Sequence, residues 1–155
     1  MDWLRDQAAA LYEKEAAVYL RDPWKARDDY IEVILERSAN SAEGFFKRHA
    51  AAGLDGGEKN KILKLLEMER YAMLIYTSCG WFFDDIAGLE AAQVIRYAAR
   101  VMELAREING AGLEAEYLRM LERAPGNLDG SGAKVYERLV KPAGGSRRRA
   151  GSPSP

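Results

Sequence analysis

EKNKILKLLEMERYAMLIY, residues 58–76, decides the fold class. Ile62, Leu65, Leu66, Met73 and Tyr76 share one side at the helical period, with Leu63 and Leu74 beside them, the pattern of a helix that buries one side. Downstream, GLEAAQVIRYAARVMELAREI, residues 88–108, repeats the pattern. Ala91, Ile95, Ala98, Met102 and Ala105 form its stripe. Two long amphipathic helices are therefore predicted, from Glu58 to Tyr76 and from Gly88 to Ile108. Between them lies YTSCGWFFDD, residues 76–85, which fits neither helix.

Working outward, Asp2 can cap a helix to about Leu20 with Trp3, Leu4, Leu11, Tyr12, Tyr19 and Leu20 as its apolar side. Asp22-Pro23 restarts the chain, since aspartate suits the cap and proline the first turn. The next helix reaches about Arg37 and places Trp24, Ile31, Ile34 and Leu35 inward. Ser41 opens a shorter helix through Phe45, Phe46 and His49 that ends at Gly53, and GLDGG is a loop. After the break at NGAG come helices over Leu113–Arg123 and Ala133–Val140, joined by the loop APGNLDGSG. No strand of convincing alternation and no fixed-period repeat is present. The expectation is an all-α bundle of six to seven helices over residues 1–140, with residues 141–155 a disordered basic tail.

The 155 residues suffice for one core, and 48% hydrophobic with 30% charged is ordinary for a globular chain. Residues 141–155 hold one Lys, three Arg and no acid, so the formal charge of −1 leaves −5 on the body. An acidic body is a poor match for nucleic acid, and the Arg-rich tail reads first as a solvated end and second as a contact for anionic partners. The one cysteine, Cys79, allows no internal disulfide. MDWLRDQAAALYEKE lacks the apolar run of a secretory leader, and the uncharged stretch Tyr71–Phe83 is too short to cross a bilayer. A cytoplasmic protein without membrane contact is expected.

The corner between the long helices carries what functional signal there is. Gly80 permits a turn that a side chain would hinder. Trp81, Phe82 and Phe83 are consecutive and cannot all face one way. Asp84 and Asp85 sit ahead of a helix, where free amides and the dipole favour acids. A tight turn, aromatic walls and carboxylates together can make a sugar platform, because rings stack on pyranose faces and carboxylates accept from hydroxyls. The plainer reading is that the aromatics pack in the core and the aspartates cap, and it is the commoner outcome for such residues. Cys79 reads as a buried small hydrophobe. A nucleophilic role would need His49, which lies on another helix.

Glu67 and Arg70 form an i, i+3 pair between Leu63 and Leu74, favourable if exposed and costly to break if buried. Glu90, Gln93 and Tyr97 line up near the start of the second long helix, with Arg96 near the corner. Arg100, Glu103 and Glu107 read as a solvated face trading charges. One His, one Cys and scattered acids fall short of a metal-ligand cluster, so neither a metal nor a cofactor is expected.

The string EMERYAMLIYTSCGWFFDDIAGLEAAQVIRYAARVMELA, Glu67 to Ala105, resembles the C-terminal helical domain known as domain of unknown function family 3536, which follows a catalytic barrel of the glycoside hydrolase family 57 type. DPWKARDDYIEVILERS upstream, and Tyr117, Leu118, Leu121, Ala124 and Asn127 downstream, extend the likeness over nearly all of residues 1–140. The family turn reads Phe-Phe-Asp-Glu-Ile-Ser-Gly; here Asp85 stands at the Glu position and Ala87 at the Ser position. The resemblance implies a helical partner that packs on a β/α barrel, itself the source of the nucleophile and acid, and lends aromatics to a cleft for an α-glucan or related oligosaccharide. This chain is too short for such a barrel, and adjacent Asp84 and Asp85 are not placed to straddle a glycosidic bond, so no catalytic residue is assigned.

The expected function is an accessory domain of a family 57-type carbohydrate-active enzyme, with Tyr76, Trp81, Phe82, Asp84, Asp85 and Gln93 completing a glycan cleft beside a barrel that is missing or separately encoded. The alternative is a structural or protein-interaction module with no glycan binding. A free-standing hydrolase using Cys79 or an acid pair is the weakest reading.

Overall fold

The two long helices pair at the centre of the computed structural model, which describes residues 1–82, 85–126 and 130–145. The elements are helices α1 (Asp2–Ala16), α2 (Pro23–Asp29), α3 (Ile31–Leu35), α4 (Ala39–His49), α5 (Gly56–Leu74), α6 (Leu89–Asn109), α7 (Glu114–Leu121) and α8 (Gly132–Gly145). A 3₁₀ turn over Ser78–Trp81 lies between α5 and α6. Among the described residues there is no strand, only the isolated bridges Leu20–Ala50 and Pro125–Ser131. The all-α expectation holds.

α5 packs on α6 along its length, α1 lies against α5, and α8 covers α6 and α7. Leu4, Ala8 and Tyr12 of α1, Ile62, Leu65, Leu66 and Met68 of α5, and Ile95, Ala98, Val101 and Met102 of α6 are all buried. Each buried Leu, Ile, Val or Met side chain among them contributes about 1.5–3 kcal/mol by leaving water. The α6 stripe is the predicted one, apart from Ala91, which is half-buried. Helix ends follow local chemistry. Asp22 accepts from the Lys25 amide at 3.0 Å with Pro23 in the first turn. At α5, Asp55 and Glu58 exchange side-chain bonds with each other's amides at 2.8 and 2.9 Å. That reciprocal cap draws Gly56 and Gly57 into the helix, so it begins ahead of the predicted Glu58. Gly110, at φ 79°, closes α6 in the left-handed conformation.

Several expectations need correction. α1 stops at Ala16 rather than Leu20, because the chain turns there so that Arg21 donates its amide to the His49 carbonyl and Ala51 donates to the Tyr19 carbonyl, both at 2.9 Å. The helix predicted over Pro23–Arg37 breaks into α2 and α3 at Tyr30, whose ring is buried on the core. The new register buries Ala26 and Val33 and leaves Ile31 and Leu35 outside, Leu35 at 80% exposed. Ser38, not Ser41, opens α4, accepting from the Ser41 amide at 3.1 Å. α8 passes the predicted end at Val140 and reaches Gly145. The rest of the tail, 146–155, lies outside the described residues, as does Asn127.

Candidate functional site

The corner is built by close backbone approach. A Cβ on Gly80 would stand 2.2 Å from Val94 Cγ2, so only glycine lets the 3₁₀ turn lie flat on α6. The constraint is space against a neighbour and not an unusual backbone angle, since among the described residues the glycines with positive φ are Gly110 and Gly130. With Gly80 facing α6, its neighbours point away. Cys79 is exposed, which corrects the expectation of a buried thiol. Trp81 is 56% exposed and Phe82 79% exposed.

Trp81 is nonetheless fixed. Its indole N–H donates to the Ile75 carbonyl at 3.0 Å, which satisfies the polar edge and leaves the ring face to solvent. Tyr76, 39% exposed, lies nearly parallel to it at 16°, with ring centroids 6.4 Å apart. Both rings wall a pocket of about 300 Å³ whose other lining residues are Met1 and Asp2. It is a shallow depression, open to solvent rather than enclosed.

The acid wall comes from the far end of the sequence. The Tyr76 hydroxyl donates to Asp2, a short contact that, with Arg5 nearby, holds the Asp2 carboxyl below the usual carboxylate range. Partial burial and the bond to Asp2 in turn push the Tyr76 phenol up to about 12. Arg5 lies over the Tyr76 ring, its guanidinium carbon 5.5 Å from the centroid. It is bound chiefly to Asp6, at 2.7 and 2.8 Å, and stands 3.7 Å from Asp2. Met1 is anchored by the Tyr117 hydroxyl, which donates to its Sδ at 3.3 Å.

Of the predicted site residues, Tyr76 and Trp81 meet in this pocket and Phe82 stands beside them in the chain. Asp85 accepts from the Ala87 amide at 3.0 Å and shapes the turn into α6. Gln93 is half-buried on α6, away from the pocket lining. Asp84, with Phe83, lies outside the described residues. Met1, Asp2 and Arg5 were not among the predicted residues, and no local pattern marks them, because their place at the corner depends on how α1 docks.

The other titratable residues divide cleanly. Glu67 pairs with Arg70 at 3.1 Å and accepts from the Tyr30 hydroxyl at 2.9 Å, a half-buried arrangement. Arg100 bridges Glu103 at 2.5 Å, while Glu107 takes Lys64 at 2.9 Å. Glu69 is the buried acid, 4% exposed with Oε1 unpartnered, and burial raises its pKa to about 7 against a weaker opposing pull from Arg27. Its signal was present in the sequence: Glu69 lies on the Ile62–Leu65–Leu66–Met73 stripe. His49 is buried with Nε2 3.2 Å from Asp29, without the alignment of a hydrogen bond, and burial lowers its pKa although Asp29 pulls the other way. It lies on α4 and Cys79 on the 3₁₀ turn. No group of three or more His, Cys, Asp or Glu placed to hold a metal occurs among the described residues. No described helix is long and apolar enough to cross a membrane.

The family model described as Domain of unknown function (DUF3536) matches residues 1–152. The chain belongs to this family. No curated protein and no solved structure matches it. In this DUF3536 chain the candidate site thus rests on its own geometry: an exposed, rigid Trp81 face, a parallel Tyr76, and an ionised Asp2.

Proposed function

We propose that this DUF3536 chain is the helical accessory domain of a glycoside hydrolase family 57-type carbohydrate-active enzyme, and that the Tyr76–Trp81 corner completes a glycan cleft beside a separate catalytic barrel. The observation that supports this is the exposed Trp81 face over a pocket walled by Tyr76 and Asp2. The C–H groups on a pyranose face carry slight positive charge and suit the negative face of an aromatic ring. A carboxylate beside that face accepts hydrogen bonds from ring hydroxyls. An α-glucan or related oligosaccharide is the ligand. The lone exposed Cys79 suits a reducing compartment, and we place the protein in the cytoplasm.

Titration with maltooligosaccharides, followed by tryptophan emission, tests the reading. Wild-type emission should shift saturably, and Trp81→Ala should abolish the shift while the far-UV circular dichroism stays helical. An unchanged response in Trp81→Ala sinks the glycan role.

One observation favours a second reading, a protein-interaction module. Phe82 and Leu89 are more than three-quarters exposed, at 79% and 76%, at the same end of the molecule. Large apolar groups grouped on a surface mark interfaces. A Phe82→Ser, Leu89→Ser variant that releases a co-purifying partner and leaves sugar titrations flat would favour that reading over the first.

A further inference from the structure

Among the described residues, Glu69 is the acid that the core encloses, and no protein group bonds its Oε1. The residues a turn away on α5, Leu65, Leu66, Ala72 and Met73, are uncharged, and α6 packs on α5 through buried apolar groups. From α1 comes Tyr12, whose hydroxyl already donates to the Pro23 carbonyl. From α2 comes Arg27, the cation that acts on Glu69. Arg27 is held on the outside. Its Nε and Nη2 donate to Asp28 at 3.0 and 2.6 Å. Its guanidinium carbon lies 5.0 Å from the centre of the Trp24 ring, which rests against Tyr12 with centroids 5.3 Å apart.

We propose that Glu69 and Arg27 form a proton-operated latch: when Glu69 loses its proton, Arg27 leaves Asp28 and turns inward to pair with it, and the guanidinium comes off the Trp24 ring. The relative weight of the two ion pairs sets the direction. Asp28 is 65% exposed, and an ion pair at the surface contributes little. A carboxylate left without a partner in the core costs far more. While Glu69 is protonated, nothing draws Arg27 away from Asp28. Once Glu69 is ionised, the buried charge outweighs the exposed one. Burial raises the Glu69 pKa to about 7, so the exchange falls near neutral pH. Acid keeps Arg27 outside, and rising pH draws it in. The latch involves α1, α2 and α5 and does not depend on what binds at the Tyr76–Trp81 corner.

The test follows carbon-13 shifts of labelled glutamate carboxyls and the indole N–H signals of the full chain from about pH 5 to about pH 9. Loss of a signal in Trp24→Phe assigns the Trp24 indole. In the wild type the Trp24 signal should move with the same midpoint as the Glu69 carboxyl, about 7, and Glu69→Gln should flatten it. In Arg27→Met, Glu69 should still titrate, with its midpoint raised by about one unit, while the Trp24 signal stays still. Asp28→Asn removes the outer partner of Arg27 at an exposed position. It should lower the Glu69 and Trp24 midpoints together, by about half a unit. Thermal melts show whether each variant is folded, and Asp28→Asn carries the test if Arg27→Met is not. A wild-type Trp24 signal that stays flat while Glu69 titrates overturns the latch, as does a Glu69 carboxyl with no midpoint in this range. So does a Trp24 signal that still follows Glu69 in folded Arg27→Met, or midpoints that do not move in Asp28→Asn.

Discussion

The Tyr76 hydroxyl donates to the Asp2 carboxylate across 74 positions of sequence. The bond joins the first turn of α1 to the turn that follows α5, and each partner alters the other's titration. Asp2→Asn is expected to lower the Tyr76 phenol midpoint from about 12. It should not return to the ordinary value of about 10, because burial is the larger cause. Carbon-13 shifts of labelled tyrosine against pH report the midpoint directly, and one that does not move would show that the bond is not made in solution.

Glu69 should make the fold acid-preferring over part of its range. Its pKa in the folded state, about 7, lies above the ordinary 4.5. The native state therefore holds a proton that the unfolded chain gives up. Stability from this group is complete below about pH 4.5 and is lost as pH rises through about 7. The loss is at most about 3 kcal/mol. Urea denaturation at intervals from pH 5 to 8 should show this slope in the wild type and its removal in Glu69→Gln.

Gly80→Ala should destabilise by about 1–3 kcal/mol through overpacking against Val94. Val94→Ala alone creates a void, yet it makes room for the new methyl. The double variant should therefore lose less than the sum of the two single changes, and a double-mutant cycle in chemical denaturation measures the difference. Strict additivity would mean that the 3₁₀ turn does not rest on α6 as described.

Removing the reciprocal cap at α5 tests whether that helix is pinned at its start. Asp55→Ala should cost about 1 kcal/mol. Glu58→Ala on top of it should cost about 0.5–1 kcal/mol more, since it also removes the acceptor of the Asp55 amide. Amide exchange should then quicken in the first turn of α5 while the region around Leu65 and Leu66 stays protected.

What could be read from the chain was what depends on neighbours in sequence. α5 and α6 were legible because three-to-four-residue spacing persists over many turns, and the Asp22-Pro23 restart because cap and ring chemistry act within a few residues. The break at Tyr30 was not, since neither glycine nor proline marks it; the buried ring and its bond to Glu67 come from tertiary packing. Met73 and Tyr76 were read as core, yet stand about half and two-fifths exposed, because the stripe on α5 turns toward both α1 and α6 and closes over Ala72 instead. At the site, the aromatic corner was visible as an oddity of composition. Asp2 was not, because nothing near it in the chain mentions Tyr76.

The pocket's acid and aromatic walls come from opposite ends of a long stretch of polypeptide, and no disulfide ties one to the other. A peptide copied from the corner alone would carry the rings without their counter-wall. Whatever settles there must act as a clasp, so occupancy should slow the fraying of the first helix before it changes anything in the middle of the bundle.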